Sequence, residues 1–104
     1  MTRDIFEYPS GIALPPVHPG QTLAAELTAR GLSANALALK LRVPANRLSD
    51  IVRGQRAISA ETALRLGRYF GTGAEFWVNL QANYDLARAR QEFGATIERE
   101  VDAA

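Results

Sequence analysis

The chain contains no cysteine and only one histidine, His18. Disulfides and thiolate metal sites are therefore excluded, and a small fold must be held by its apolar core. No cluster of metal-type ligands surrounds His18 in the sequence, so no metal site is expected. Placed before Pro19-Gly20, the histidine reads instead as a structural contact at a helix entrance. Long apolar runs are also missing. Nothing approaches the roughly 20 residues that a membrane helix needs, and the opening MTRDIFEYPS lacks the apolar stretch of a secretory signal. These absences point to a cytoplasmic protein with neither membrane nor cofactor. An enzyme would need an activated nucleophile, a paired acid and base, or a metal. Without cysteine, with one histidine and with no carboxylate pair that a short helical domain could enclose, that class is left without candidates.

At 104 residues, the chain has room for one core of ordinary size. Apolar residues make up 47% and charged residues 22%, enough of the first to fold and too little of the second for disorder. The net charge of +1 carries no message, but its distribution does. From Arg30 to Arg68 there are eight basic residues against two acids, Asp50 and Glu61, an excess of six. From Glu92 onward the balance reverses, with Glu98, Glu100 and Asp102 beside a single Arg99. A positive middle suits an anionic partner. A solvated basic face would account for it equally well.

Residues 1–17 are punctuated by Pro9, Gly11, Pro15 and Pro16 and read as an extended arm. Its apolar residues Ile5, Phe6, Tyr8, Ile12 and Leu14 either pack on a partner or remain unstructured. A first helix is predicted from Pro19 or Gly20 to Arg30, stopped by Gly31. Ser33 caps a second, with Ala36, Leu37 and Leu41 on its apolar stripe. After a break at Arg42-Val43, Pro44 opens a third, with Leu48, Ile51 and Val52 inward and Gly54 at its end. Ser59 caps a fourth, Ala60 to Phe70, whose inward positions are Ala63, Leu64, Leu66 and Gly67. The fifth starts after Thr72 or Gly73 and carries Phe76, Trp77, Leu80, Tyr84 and Ala87 to about Phe93. Residues 94–104 form a polar, frayed tail. Phe76 and Trp77 are adjacent and cannot share a helix face, so one enters the core and the other faces a second subunit. Trp77, Leu80, Tyr84 and Ala87 are the candidate dimer seam. The fold class is all-α, with five helices.

The stretch from Leu32 to Ser59 carries the functional signal. Two short helices are joined by about three residues, with the small Ala38 inside the first, as a helix-turn-helix requires for close crossing. On the second of these helices Ala45, Asn46, Arg47, Ser49 and Asp50 point outward. Asparagine can pair bidentately with adenine and arginine with guanine in the major groove, so Asn46 and Arg47 are suitable readers. Asp50 either accepts from a cytosine amino group or orients Arg47 or Arg53.

The run His18-Pro19-Gly20, then VPANRLSDIVRGQRAISAETALRLGRYFGTG (43–73) and EFWVNLQANYDLARAR (75–90), resembles the XRE (Cro-like) phage-repressor family, and within it the HigA/VapI antitoxins. The resemblance implies a five-helix, lambda-repressor-like DNA-binding domain spanning residues 18–93, with a C-terminal dimerisation helix. It implies a homodimer on a palindromic double-stranded operator, usually its own promoter, that also neutralises a RelE-like ribonuclease toxin. By similarity the third helix is the recognition helix, with Ala45, Asn46, Arg47 and Asp50 toward the bases. Ser33 and Asn35, and then Arg53, Gln55 and Arg56, match phosphate-contacting positions. Lys40, on the outer face of the second helix, is either a further phosphate contact or a solvated charge. Three positions depart from the pattern. Arg42 stands at a turn position that is usually glycine, Ala34 replaces a frequent glutamine, and Gly73-Ala74 replaces Ser-Pro. A left-handed Arg42 would cost about 1 kcal/mol.

Overall fold

The computed structural model describes residues 15–104, so the apolar positions of the arm from Ile5 to Leu14 lie outside the described residues. Five α-helices follow in order: α1 (Pro19–Arg30), α2 (Ala34–Leu41), α3 (Ala45–Val52), α4 (Ala60–Phe70) and α5 (Ala74–Glu100). The chain's own caps set these boundaries. His18 Nδ1 accepts the Gly20 N–H at 2.9 Å to open α1, and left-handed Gly31 closes it by bonding the carbonyls of Leu27 and Thr28. Ser33 Oγ takes the Ala36 N–H at 3.0 Å and Ser59 Oγ the Thr62 N–H at 3.2 Å, so α2 and α4 start on hydroxyl caps. Helix α3 follows Pro44 without a side-chain cap.

Leu23 and Leu27 of α1, Leu37, Ala38 and Leu41 of α2, Leu48 and Ile51 of α3, Ala63 and Leu66 of α4 and Trp77 of α5 form one core, joined by Ile58 from the α3–α4 loop. Each large apolar side chain so enclosed contributes about 1.5–3 kcal/mol. Two glycines permit backbone to touch backbone. A Cβ on Gly20 would lie 1.9 Å from the Ile51 carbonyl oxygen, so the start of α1 can approach the end of α3 only without a side chain. At Gly67 a Cβ would meet the Gly73 carbonyl carbon at 2.3 Å, which places the α4–α5 corner tightly against α4.

Three features differ from the sequence reading. Helix α5 continues past Phe93 to Glu100. Its last turns are built from strong helix formers (Ala95, Glu98, Arg99 and Glu100) that outweigh the single Gly94. Leu64 is 63% exposed rather than inward, because Ala63, Leu66 and Gly67 fix the buried face of α4 and Leu64 is turned away from it. The two aromatic neighbours separate cleanly: Trp77 is 0% exposed and Phe76 42%. Trp77 is therefore a core residue with no surface left for a second subunit, which removes it from the dimer seam. Its indole N–H donates to Thr72 Oγ1 at 3.0 Å, and its ring lies 5.8 Å from that of Phe70. Of the two caps open in the sequence, Gly73 is the N-cap of α5.

At the α2–α3 turn Arg42 is left-handed, with φ 60° and ψ 48°. It is the one non-glycine residue at positive φ among the described residues. Its N–H bonds the Ala38 and Leu39 carbonyls, and the N–H of Val43 returns to Ala38 at 3.1 Å. The turn is that of a glycine, made by an arginine. Among the described residues no helix is long and apolar enough to cross a membrane.

Candidate nucleic-acid interface

Helix α3 rests on α2 through Leu48 and Ile51, which are fully enclosed, and this orients everything else on it. Ala45 and Asn46 stand exposed at its N-terminal end, while Arg47, Ser49 and Asp50 are half-buried on its flanks. With Pro44 preceding it, the first turn presents uncapped N–H groups together with an asparagine and an arginine. Such an end suits phosphate oxygens and base edges alike.

Two carboxylates organise the basic side chains around α3. Asp50 accepts from Arg53 through Oδ1 and from Arg56 at 3.4 Å through Oδ2. Arg53 Nε reaches Gln55 Oε1 at 3.5 Å. The four residues Asp50, Arg53, Gln55 and Arg56 are thus brought into one cluster at the end of α3, in the geometry of an orienting aspartate. The second carboxylate, Glu61 of α4, accepts from Arg47 Nη1 at 3.4 Å. At the start of α2, Ser33 and Asn35 are exposed, as is Lys40 on that helix. Ser33 Oγ is already the helix cap, which leaves its hydroxyl proton free to turn outward.

The α3–α4 loop is fixed from behind by residues that the sequence reading did not single out. Gln81, buried on α5, accepts the Ile58 N–H at 2.8 Å and donates to Asp85 Oδ1 at 2.9 Å. Arg65 of α4 donates from Nη1 to the Leu41 carbonyl at 2.9 Å, holding the end of α2. The sequence signal for Glu61 and Arg65 was their i, i+4 spacing on one helix. Gln81 gave none, being a polar residue on an otherwise apolar stripe.

His18 joins the same loop to α5. Its ring meets Tyr84 edge-on at 4.8 Å and shares a shallow cleft with Arg56, Gln81, Asp85 and Arg88. Tyr84 is half-buried and engaged within its own protomer, with the Arg88 guanidinium 5.8 Å from its ring centroid. Leu80 and Ala87 are half-buried. Burial holds His18 below its ordinary pKa of 6.5, partly opposed by the Asp85 charge and by a hydrogen bond with the Arg56 backbone. The neutral ring is the form that can accept from Gly20. Because the folded pKa is depressed, the stability this contributes is whole above pH 6.5 and is lost as pH falls from there through the folded value. The midpoint of urea unfolding is thus expected to be lower at about pH 5.5 than at about pH 7.5. The variant His18→Asn, whose side chain can still cap, should show a flatter profile; an unchanged slope would assign the pH dependence to other groups.

Comparison with known proteins agrees with this geometry. The helix-turn-helix family model matches residues 23–77. Virulence-associated protein I of Dichelobacter nodosus is 52% identical over 80 residues, covering 76% of this chain and 74% of that protein. An addiction module antidote protein of the HigA family from Coxiella burnetii superposes with a TM-score of 0.85 at 48% identity, over 88% of this chain and all (100%) of the other. The antitoxin HigA of Pseudomonas aeruginosa, solved with the higBA promoter, gives 0.81 at 51% identity, over 84% and 96%.

Proposed function

Because this chain belongs to the XRE-type helix-turn-helix family, in its HigA antitoxin branch, we propose that it is the antitoxin of a toxin–antitoxin pair and represses its own promoter. The observation that carries this reading is the likeness to the Pseudomonas aeruginosa antitoxin, which was solved on promoter DNA. Two copies form a homodimer and present two α3 helices to successive major grooves of a palindromic operator, about 34–36 Å apart. Asn46 and Arg47 read bases, with Ala45 and Asp50 beside them. Ser33, Asn35, Lys40, Arg53, Gln55 and Arg56 neutralise or bond phosphates. The protein acts by binding and not by catalysis. Its second partner is a RelE-like ribonuclease toxin.

The dimer seam lies on α5. Phe76, Leu86, Phe93 and Ile97 share one face of this helix, with the polar Asn79, Asn83 and Arg90 at the intervening positions of the same 3-4 spacing. Phe76, Leu86, Phe93 and Ile97 on it are exposed in the single chain, and Leu80 and Ala87 flank it half-buried. In functional terms the chain divides into an N-terminal segment (1–17) and the DNA-binding domain with its dimerisation helix, which α5 carries past position 93 to Glu100.

A titration and a co-expression assay test the proposal. The purified protein is expected to shift a duplex of its own upstream promoter at concentrations where random DNA is unbound, with log affinity falling steeply against log salt. Co-expression with the product of the adjacent gene should give a stable complex and relieve that product's inhibition of growth. Promoter binding without any such complex would indicate a stand-alone repressor. Failure to shift the promoter would refute the DNA-binding reading.

A further inference from the structure

We propose that Glu61 is a positioning residue for base reading: by holding one edge of the Arg47 guanidinium it makes that arginine a base reader rather than a general phosphate binder. The inference rests on the DNA-binding reading above. Glu61 and Arg47 lie on different helices, fourteen positions apart, and meet at 3.4 Å between Oε1 and Nη1. The carboxylate is itself held. Its Oε2 receives Arg65 Nε at 3.1 Å and Nη2 at 3.0 Å, while Nη1 of the same arginine bonds the Leu41 carbonyl at 2.9 Å. A chain of contacts therefore runs from the end of α2, beside the left-handed Arg42, through α4 to the recognition helix.

Two physical effects follow for Arg47. A free arginine side chain carries considerable rotamer entropy, and tethering one nitrogen removes part of that before DNA arrives. The guanidinium has five N–H donors, so one contact to Glu61 leaves the Nε and Nη2 groups available for a bidentate approach to guanine. The second effect is repulsive. A carboxylate beside Arg47 offsets its charge and weakens its attraction to any phosphate, whatever the sequence. Discrimination increases because indiscriminate binding is disfavoured. Glu61 also stands in the first turn of α4, where an acid suits the helix dipole. That role alone would affect stability and leave base preference unchanged.

The experiment exposes the full chain, Glu61→Ala, Arg47→Ala and the double variant to a random-sequence duplex library, counts the enriched sequences, and measures affinity for the unselected library by anisotropy. Glu61→Ala is expected to bind the unselected library more tightly while its enrichment of preferred sequences falls about fivefold, the scale of an exposed ion pair. In the Arg47→Ala background the same substitution should leave enrichment unchanged. Glu61→Gln, which keeps an oxygen for Arg65, should move enrichment in the same direction as Glu61→Ala and guards against misfolding of the latter. Unchanged enrichment in both Glu61 variants, or an equal drop with and without Arg47, overturns the proposal. If the parent chain enriches no sequence at all, the DNA-binding reading fails first and the positioning role falls with it.

Discussion

Replacing Asn46 and Arg47 together by alanine is expected to abolish selective binding to the operator while leaving the fold intact. Both side chains project from a helix whose packing is done by Leu48 and Ile51, and neither enters the core. Unfolding midpoints of parent and variant should therefore agree closely. Each bidentate base contact is worth about 1–3 kcal/mol of discrimination, so losing two removes about 2–6 kcal/mol per half-site. With two half-sites engaged, a gel-shift titration should lose its specific band across the accessible concentration range. Residual binding should resemble that to random DNA, because the phosphate contacts proposed for Arg53, Gln55, Arg56 and Lys40 would remain. The single variant Arg47→Ala should relax preference at one position of each half-site. The single variant Asn46→Ala should do so at another. A double variant that still binds the operator like the parent would mean that α3 is not the reading helix.

The features legible in the sequence were those fixed by local chemistry. Ser33 and Ser59 hydroxyls, Gly31 and Gly71 stops and the proline before α3 each act within four residues of their own position, and helix starts and ends followed them closely. The outward side of α3 was legible for the same reason: on a helix this short, the inward set Leu48 and Ile51 dictates what points outward. Features that depend on contacts between distant elements were not. Glu61 and Arg65 are ordinary surface charges until α4 is laid across the end of α2 and the side of α3. Gln81 is a polar interruption until the Ile58 N–H needs an acceptor, which no residue of the loop supplies. The histidine at the entrance of α1 was read as structural, and its cap on Gly20 gives it that role. What the sequence could not indicate was the reach of the same ring to Tyr84 and the Arg56 backbone. The sequence predicts an end of α5 near Phe93 because Gly94 and the polar composition that follows look like an ending, whereas the helix runs to Glu100. Nothing local marks the continuation except the helix propensity of individual residues.

The substitution Trp77→Ala is expected to destabilise the protomer itself rather than merely to separate two copies. The indole is wholly enclosed, packs against Phe70 and Phe76 rings at 5.8 and 5.1 Å, and hydrogen-bonds Thr72. Removing a buried tryptophan costs about 3–5 kcal/mol, against a total stability of about 5–15 kcal/mol for a domain of this kind. At about 4–8 °C per kcal/mol the melting temperature should fall by at least 12 °C, read by far-ultraviolet circular dichroism since the indole signal is gone. Trp77→Phe retains most of the volume but loses the N–H donor, and should lie between the two. Phe93→Ser, on the exposed flank of α5, removes no core contact and should leave the protomer's helicity unchanged while weakening association in sedimentation runs. The contrast between these two variants separates core from seam on the same helix. If Trp77→Ala kept the parent's helicity and urea midpoint and only dissociated, the indole would belong to the interface, and the core would have to be closed by Phe70 and Leu66 alone.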